Sequence, residues 1–343
     1  MKNEKNNQMV GRRRFIKAAG IGLAAGMTGF PNILTNSVKP VFAFPQADLP
    51  KREVGKTGMK VTVISLGSHV NPENVRNPEG RVTQLQAAVD MGINLFDIYE
   101  HTYHQFENTS KVLIPVRKDV HISLAWVAIG ENEKREMSPQ LVRDVVENAL
   151  RTFKTDYIDM YRVVNKNSEV HRDMFMKLKE EGKIRAIGYA AHYEDELIEA
   201  IKFYNPDFVF MPFNPIMNKE KYVKLMPLLK EKNVALIAMK PFTSGSVFKL
   251  KKSSPMLKNV EFKEGYSIAQ AILKYIASQK EVTCTVPAMN TIDEIKENLN
   301  VLNDLTMDWF EKNMLKEARH EALRIGPSYL PPHYRWLHEE WIA

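Results

Sequence analysis

The chain has 343 residues, 44% of them hydrophobic and 26% charged, which is enough apolar material for one large core. Its formal net charge of +7 suggests an anionic partner. However, seven basic side chains and one acidic one crowd residues 1–43, so the remainder is near neutral and nucleic acid is excluded as a partner. Cys284 is the one cysteine, which excludes an intramolecular disulfide, a cysteine zinc site and a cysteine-held iron–sulfur cluster.

The first 43 residues read as an address. Arg12-Arg13-Arg14-Phe15-Ile16-Lys17 resembles the twin-arginine export motif, and Ala18 to Phe30 is a weakly apolar stretch rich in Gly and Ala. That stretch is shorter than the roughly 20 apolar residues of a membrane span, and Val41-Phe42-Ala43 offers small residues for a signal peptidase. The resemblance implies a partner, the twin-arginine export machinery, and a periplasmic or secreted mature chain with no membrane span.

Beyond the linker Phe44 to Pro50, Arg52 to Val61 reads as a hairpin turning on Gly55-Lys56-Thr57-Gly58. Eight β-rich runs follow: 63–66, 94–98, 120–127, 157–164, 184–190, 208–213, 234–239 and 282–286. Between them lie stretches of helical period, among them Gln140 to Leu150 and Glu220 to Lys232, the latter expected to kink or break at Pro227. The β runs are almost continuously apolar, as in a parallel sheet covered on both faces. Eight strand–helix units predict an α/β fold, a (β/α)8 TIM barrel over residues 44–302 with an N-terminal hairpin. Residues 303–343 read as a helical tail with an aromatic end. In such a fold, chemistry belongs at the C-terminal ends of the strands.

Several of those segments, in order, resemble the aldo/keto reductases over about residues 50–300. They are Arg52 to Val61, Gly92 to Asp97, Thr155 to Tyr161, Glu181 to Gly188, Ala235 to Phe242, and Val286-Pro287 with Glu297-Asn298. The resemblance implies hydride transfer between NADP or NAD and the carbonyl or alcohol of a small-molecule substrate. The family works with Asp, Tyr, Lys and His. The tyrosine donates a proton, and the lysine, paired with the aspartate, lowers a phenol pKa that is otherwise near 10. Asp97 matches. The tyrosine position holds Thr102, so Tyr103 takes the role through a one-residue insertion, with Tyr99 as a second candidate. The lysine position is Ala125 or Trp126, and the histidine position is Val164.

On the cofactor side, Lys240, Ser244 and Gly245 match the segment that cradles the diphosphate, and Glu297 and Asn298 match residues beside the adenine. The family's Ser-Asn at the nicotinamide amide is replaced by Ala190-Ala191, its glutamine by Phe210, and its 2′-phosphate cation by Thr291. These losses predict weak dinucleotide binding and little preference for NADPH over NADH.

Other residues are open to two readings. Glu100, His101, Tyr103, His104 and Glu107 crowd one loop and are read as loop polarity in preference to a metal site, so no metal is expected. His192 either replaces the missing histidine or starts a helix, His121 reads as structural, and Tyr189 reads as core. Tyr329, Tyr334, Trp336 and Trp341 either pack on the sheet or form a stacking platform. Arg162 shares a strand face with Val164, so it points inward and needs a carboxylate; Asp97, deprived of its lysine, is the expected partner, the alternative being an outward Arg162 on a shifted strand. Three functions follow: an exported oxidoreductase, a non-redox sugar-modifying enzyme or lyase that uses the histidines, and a barrel that binds a ligand without catalysis.

Overall fold

The computed structural model describes residues 48–67, 78–98, 103–126, 138–164, 169–260 and 266–343. The proposed leader and its twin arginines lie outside these residues, as do Tyr99, Glu100, His101 and Thr102.

A hairpin opens the described chain, β1 (Lys51–Glu53) against β2 (Lys60–Thr62). Gly55 and Gly58 turn it at φ +50° and +74°, and a Cβ on Gly55 would meet Asp207 O at 2.4 Å. Strands and helices then alternate: α1 (Pro78–Asp90), β3 (Leu95–Ile98), α2 (Tyr103–Leu113), β4 (His121–Trp126), α3 (Pro139–Phe153) and β5 (Ile158–Val164). The alternation continues with α4 (Glu169–Glu180), β6 (Ile184–Ala190), α5 (Glu194–Tyr204), β7 (Phe208–Pro212), α6 (Leu225–Glu231) and β8 (Ala235–Met239). Last come α7 (Pro255–Val260), α8 (Ile268–Ser278), β9 (Val282–Thr285), α9 (Ile292–Asn300) and α10 (Trp309–Ile325).

Strands β3 to β9 form one parallel sheet in chain order. The first expected strand is not a regular one; residues 64–67 instead make single bridges at both edges of the sheet. Ile64 and Gly67 pair with Thr285 and Ala288, and Leu66 pairs with Phe96. Pro227 also acts differently from the expectation. The break falls ahead of it, between a 3-10 turn at Lys219–Tyr222 and α6, which leaves Pro227 at the third helical position, where its missing N–H costs nothing.

Two apolar layers hold the sheet. Outward residues such as Phe96, Leu124, Tyr161, Tyr189 and Leu236 pack under the helices. Inward residues, among them Leu95, Met160, Ala186, Phe208 and Ile237, form a separate cluster closed at one end by Val54 and Val61 of the hairpin. A fully buried apolar side chain of this size contributes about 1.5–3 kcal/mol, so both layers count. The tail helix α10 is fixed at its start by a capping box between Asp308 and Glu311. Among the described residues, no helix is long and apolar enough to cross a membrane.

Candidate functional site

At the centre of the inner face stands a buried ion pair. Arg162 and Asp97 are 2% and 6% exposed, so neither charge is solvated. One guanidinium nitrogen donates to Asp97 Oδ1 and, at 2.9 Å, to Ser123 Oγ; the other donates to Asp97 Oδ2 at 3.0 Å. Ser123 Oγ in turn donates to Asp97 Oδ1 at 2.8 Å.

Sheet register explains the fit. Asp97 pairs with Ser123, and Arg162 lies between Ala125 on β4 and Gly188 on β6, two neighbours too small to block a guanidinium. Its plane rests on the Phe210 ring, with Cζ 3.9 Å from the centroid. Phe208 and Phe210 meet edge to face at 5.9 Å, and a Cβ on Gly188 would lie 2.1 Å from the Phe208 ring. Arg162 therefore faces inward, in the partnership expected of it, and the alternative of an outward arginine is overturned. With β4 carrying no lysine, both charges of the pair are used on each other.

The other titratable groups are mostly disarmed. Burial pushes the Cys284 thiol up to about 12, against a hydrogen bond with Ser65, so it is not a nucleophile at neutral pH. Tyr161 is fully buried beside Phe175, which raises its phenol well above the ordinary value. Tyr189 is core as expected, its hydroxyl donating to Glu196 at 2.8 Å. His121 is structural too, with Nδ1 3.2 Å from the buried Asp159 carboxylate. Glu107 is exposed on α2, while Tyr103 and His104 open that helix. Glu317, His320 and Glu321 of α10 bring possible metal ligands within 4.8 Å of one another. Arg324, however, already donates to both Glu321 oxygens, at 2.7 and 2.8 Å.

The C-terminal ends of the strands are lined by groups the tail touches. His192, just past β6, is pushed down to about 3 by burial, with the Lys240 charge adding to the effect; it is a neutral imidazole whose Nε2 has no partner among the described residues. It stands edge-on to Trp336 at 5.1 Å. Lys240, just past β8, lies over the Tyr334 ring at 4.1 Å. Of the four tail aromatics, Tyr329 and Trp341 sink into the core as expected of packing residues, while Tyr334 and Trp336 rest on this rim. The contact between the tail and Lys240 was not legible beforehand, because nothing local pairs residues nearly a hundred positions apart.

The diphosphate expectation can be tested on the stretch 240–246. Lys240, Thr243, Ser244 and Gly245 have φ of 52°, 47°, 56° and 77°, a left-handed turn closed by Thr243 N donating to Lys240 O at 3.0 Å and Ser246 N to Thr243 O at 3.1 Å. Ser246 Oγ is buried without a partner among the described residues, and a Cβ at Gly245 would meet none of them within 4 Å. A cation, an unclaimed hydroxyl and open space beside Gly245 fit a diphosphate. The ends of a dinucleotide fit less evenly. Thr291 caps α9, its Oγ accepting from Glu294 N at 3.1 Å, and Asp293 and Glu294 fill the first turn, an acidic setting that opposes a 2′-phosphate. Glu297 and Asn298 follow on the same helix, Asn298 buried and Glu297 half-buried. At the nicotinamide end, Ala190 and Ala191 are buried and apolar, and Phe210 is occupied by Arg162. No amide partner is present there among the residues the family uses.

Comparison with known proteins gives a consistent picture. Residues 64–318 match the sequence model of the Aldo/keto reductase family. The chain is 23% identical over 284 residues to the uncharacterized oxidoreductase YqkF of Bacillus subtilis, covering 74% of this chain and 91% of that protein. It is 23% identical over 298 residues to L-galactose dehydrogenase of Arabidopsis thaliana, covering 78% and 92% respectively. Among solved structures it is similar to the holo form of aldo-keto reductase AKR11C1 from Bacillus halodurans, with a TM-score of 0.64, 19% identity, and coverage of 79% of this chain and 96% of that one.

Proposed function

The chain belongs to the aldo/keto reductase family of oxidoreductases, and from that premise we propose that it is an NAD(H)-linked reductase of a small carbonyl compound. The observation that carries this reading is the turn 240–246, with its cation, unclaimed Ser246 hydroxyl and open Gly245, set at the C-terminal ends of the strands. Lys240, Ser244, Gly245 and Ser246 would hold the diphosphate, and Glu297 and Asn298 would serve the adenosine. The acidic first turn of α9 favours NAD(H) over NADP(H). The bridges at residues 64–67 support closure of the sheet into a (β/α)8 barrel, with residues 44–302 as the barrel and 303–343 as its tail.

When bound, the dinucleotide supplies the hydride. Tyr103, five residues beyond β3, donates the proton to the substrate oxygen. Asp97 and Arg162 neutralise each other, so among the described residues this pair offers no free cation to favour a phenolate. Replacing Tyr103 by Phe lowers turnover of small aldehydes with NADH by about 10²- to 10⁴-fold and leaves the unfolding midpoint unchanged. Full activity in that variant overturns the assignment.

A second reading, a ligand-binding barrel without reductase chemistry, draws on one observation: the central pair leaves neither charge unclaimed. Retention of NADH without turnover of any aldehyde or ketone favours it. We also propose that residues 1–43 are a cleaved twin-arginine leader and that the mature chain is periplasmic or secreted. Replacing Arg12 and Arg13 by Lys then holds the uncut chain in the cytoplasm, and continued export refutes the leader.

A further inference from the structure

The tail does more than close the end of the sheet. It crosses the strand ends as a strap with two buried feet. Leu330 forms one foot; Leu337, Trp341 and Ile342 form the other, all 2% exposed or less. The second foot is also tied by Asn218 N, which donates to Trp341 O at 2.7 Å. Between the feet, Pro331 and Pro332 limit the backbone and the rings brace one another. Trp336 Nε1 donates to His333 O at 2.9 Å, and the His333 and Tyr334 rings lie 4.3 Å apart. This span reaches the rim at two points, Trp336 on His192 and Tyr193, and Tyr334 on Lys240.

The Tyr334 contact matters most. Lys240 is the cation of the proposed diphosphate turn, and among the described residues it has an aromatic face where an anion is expected. The feet are also poorly satisfied, since Tyr329 OH, His338 Nδ1 and Trp341 Nε1 are all buried without partners among the described residues. Such groups regain hydrogen bonds when a segment loosens, so the strap is held less firmly than its apolar burial alone suggests.

The geometry points to the strap as a built-in competitor of the coenzyme: Tyr334 holds Lys240 until a diphosphate draws the ammonium away. A phosphate is the stronger partner because its bonds to the ammonium are charge-assisted, whereas the ring offers a quadrupole alone. The empty enzyme therefore keeps its rim covered and its coenzyme affinity lowered. This proposal rests on the NAD(H) reading given above.

The test is calorimetric titration of the purified mature chain with NADH. The three variants are Tyr334→Ala, Tyr334→Leu, which keeps apolar bulk without the quadrupole, and Tyr334→Phe, which keeps the face. Ala and Leu variants are expected to bind about 3- to 30-fold more tightly than wild type, the range a cation–π contact spans, with Phe near wild type. If wild type binds NADH and removing the ring leaves affinity equal or lower, the competition is refuted and the coenzyme reading stands. If no form binds NADH, that reading falls and the competition falls with it.

Discussion

Two buried carboxylates in this sheet are each matched to arginine, and they do different work. Asp97 lies on the inner face near the C-terminal ends of the strands, held among the described residues by Arg162 and Ser123. Asp159 lies nearer the start of β5, 1% exposed, and gathers Arg117 at 2.7 Å, His121 at 3.2 Å, Arg185 at 3.6 Å and the N–H of Ile122 at 3.0 Å. Burial alone raises the Asp159 carboxyl, but His121, the Arg117 charge and the Ile122 N–H outweigh it and leave it below its ordinary value. Arg117 and Arg185 further stack on Tyr157, 4.3 and 3.3 Å from its centroid. One cluster is many-handed and stitches three strands; the other is a mutually neutralised pair on the inner face, with Arg162 Nε left without a partner among the described residues. A buried ion pair is therefore no sign of function by itself, and its place in the sheet decides how it is read.

The sharpest way to break this comparison is at the centre. Asp97→Ala and Arg162→Ala each leave a lone buried charge, and each should cost about 3–5 kcal/mol in urea unfolding. The double variant should cost less than the sum of the two; additivity would mean the pair is not coupled. Next, Asp159→Asn should cost about 2–4 kcal/mol, because Arg117 then loses its counter-charge. It should also flatten the acid limb of the stability profile. A carboxyl held low in the folded state contributes fully above its unfolded value near pH 4, and that contribution fades as pH falls through the lower folded value. An unchanged acid limb would remove Asp159 from the account. Gly188→Ala drives a methyl into Phe208 and should cost about 1–3 kcal/mol; a smaller loss would show that Phe208 has room to move off Arg162. The smallest effect is expected at Arg185, half exposed and the most distant partner of Asp159. Arg185→Ala should cost under about 1 kcal/mol, and a larger loss would make its stacking on Tyr157 the main tie.

Much of this was legible in the residues. Continuous apolar runs at regular spacing gave the parallel sheet, and strand alternation with a missing lysine gave the Asp97–Arg162 pair before any distance was known. Two kinds of information were hidden. Local pattern cannot say whether a run such as 63–66 forms a ladder or a few bridges, since that depends on edges more than 200 residues away. Nor does a proline report which side of it the chain will bend, as the break ahead of Pro227 shows. The strap over Lys240 was concealed for the same reason as the bridges: its partners are distant in sequence and unremarkable one by one. Where the family resemblance would put the nicotinamide, by contrast, the apolar Ala190-Ala191 and Phe210 are plain in the residues, and the structure gives Phe210 a different task, as the shelf for Arg162.

Residues 64–67 bridge both β3 and β9, and Ile64 meets Thr285 across roughly 220 intervening residues. During synthesis at about 5–20 residues per second, the partner of Ile64 is made on the order of 10–40 s later. For that interval the growing sheet carries two raw edges, each a template for the wrong neighbour. Leu66 finds Phe96 early, but Ile64 and Gly67 wait for Thr285 and Ala288, so the closing bridges join the oldest strand residues to the newest. A chain stalled short of Thr285 would hold most of its strands and still be open to aggregation. Ribosome-tethered truncations ending before and after Ala288 should accordingly differ far more in protease resistance than their difference in length implies.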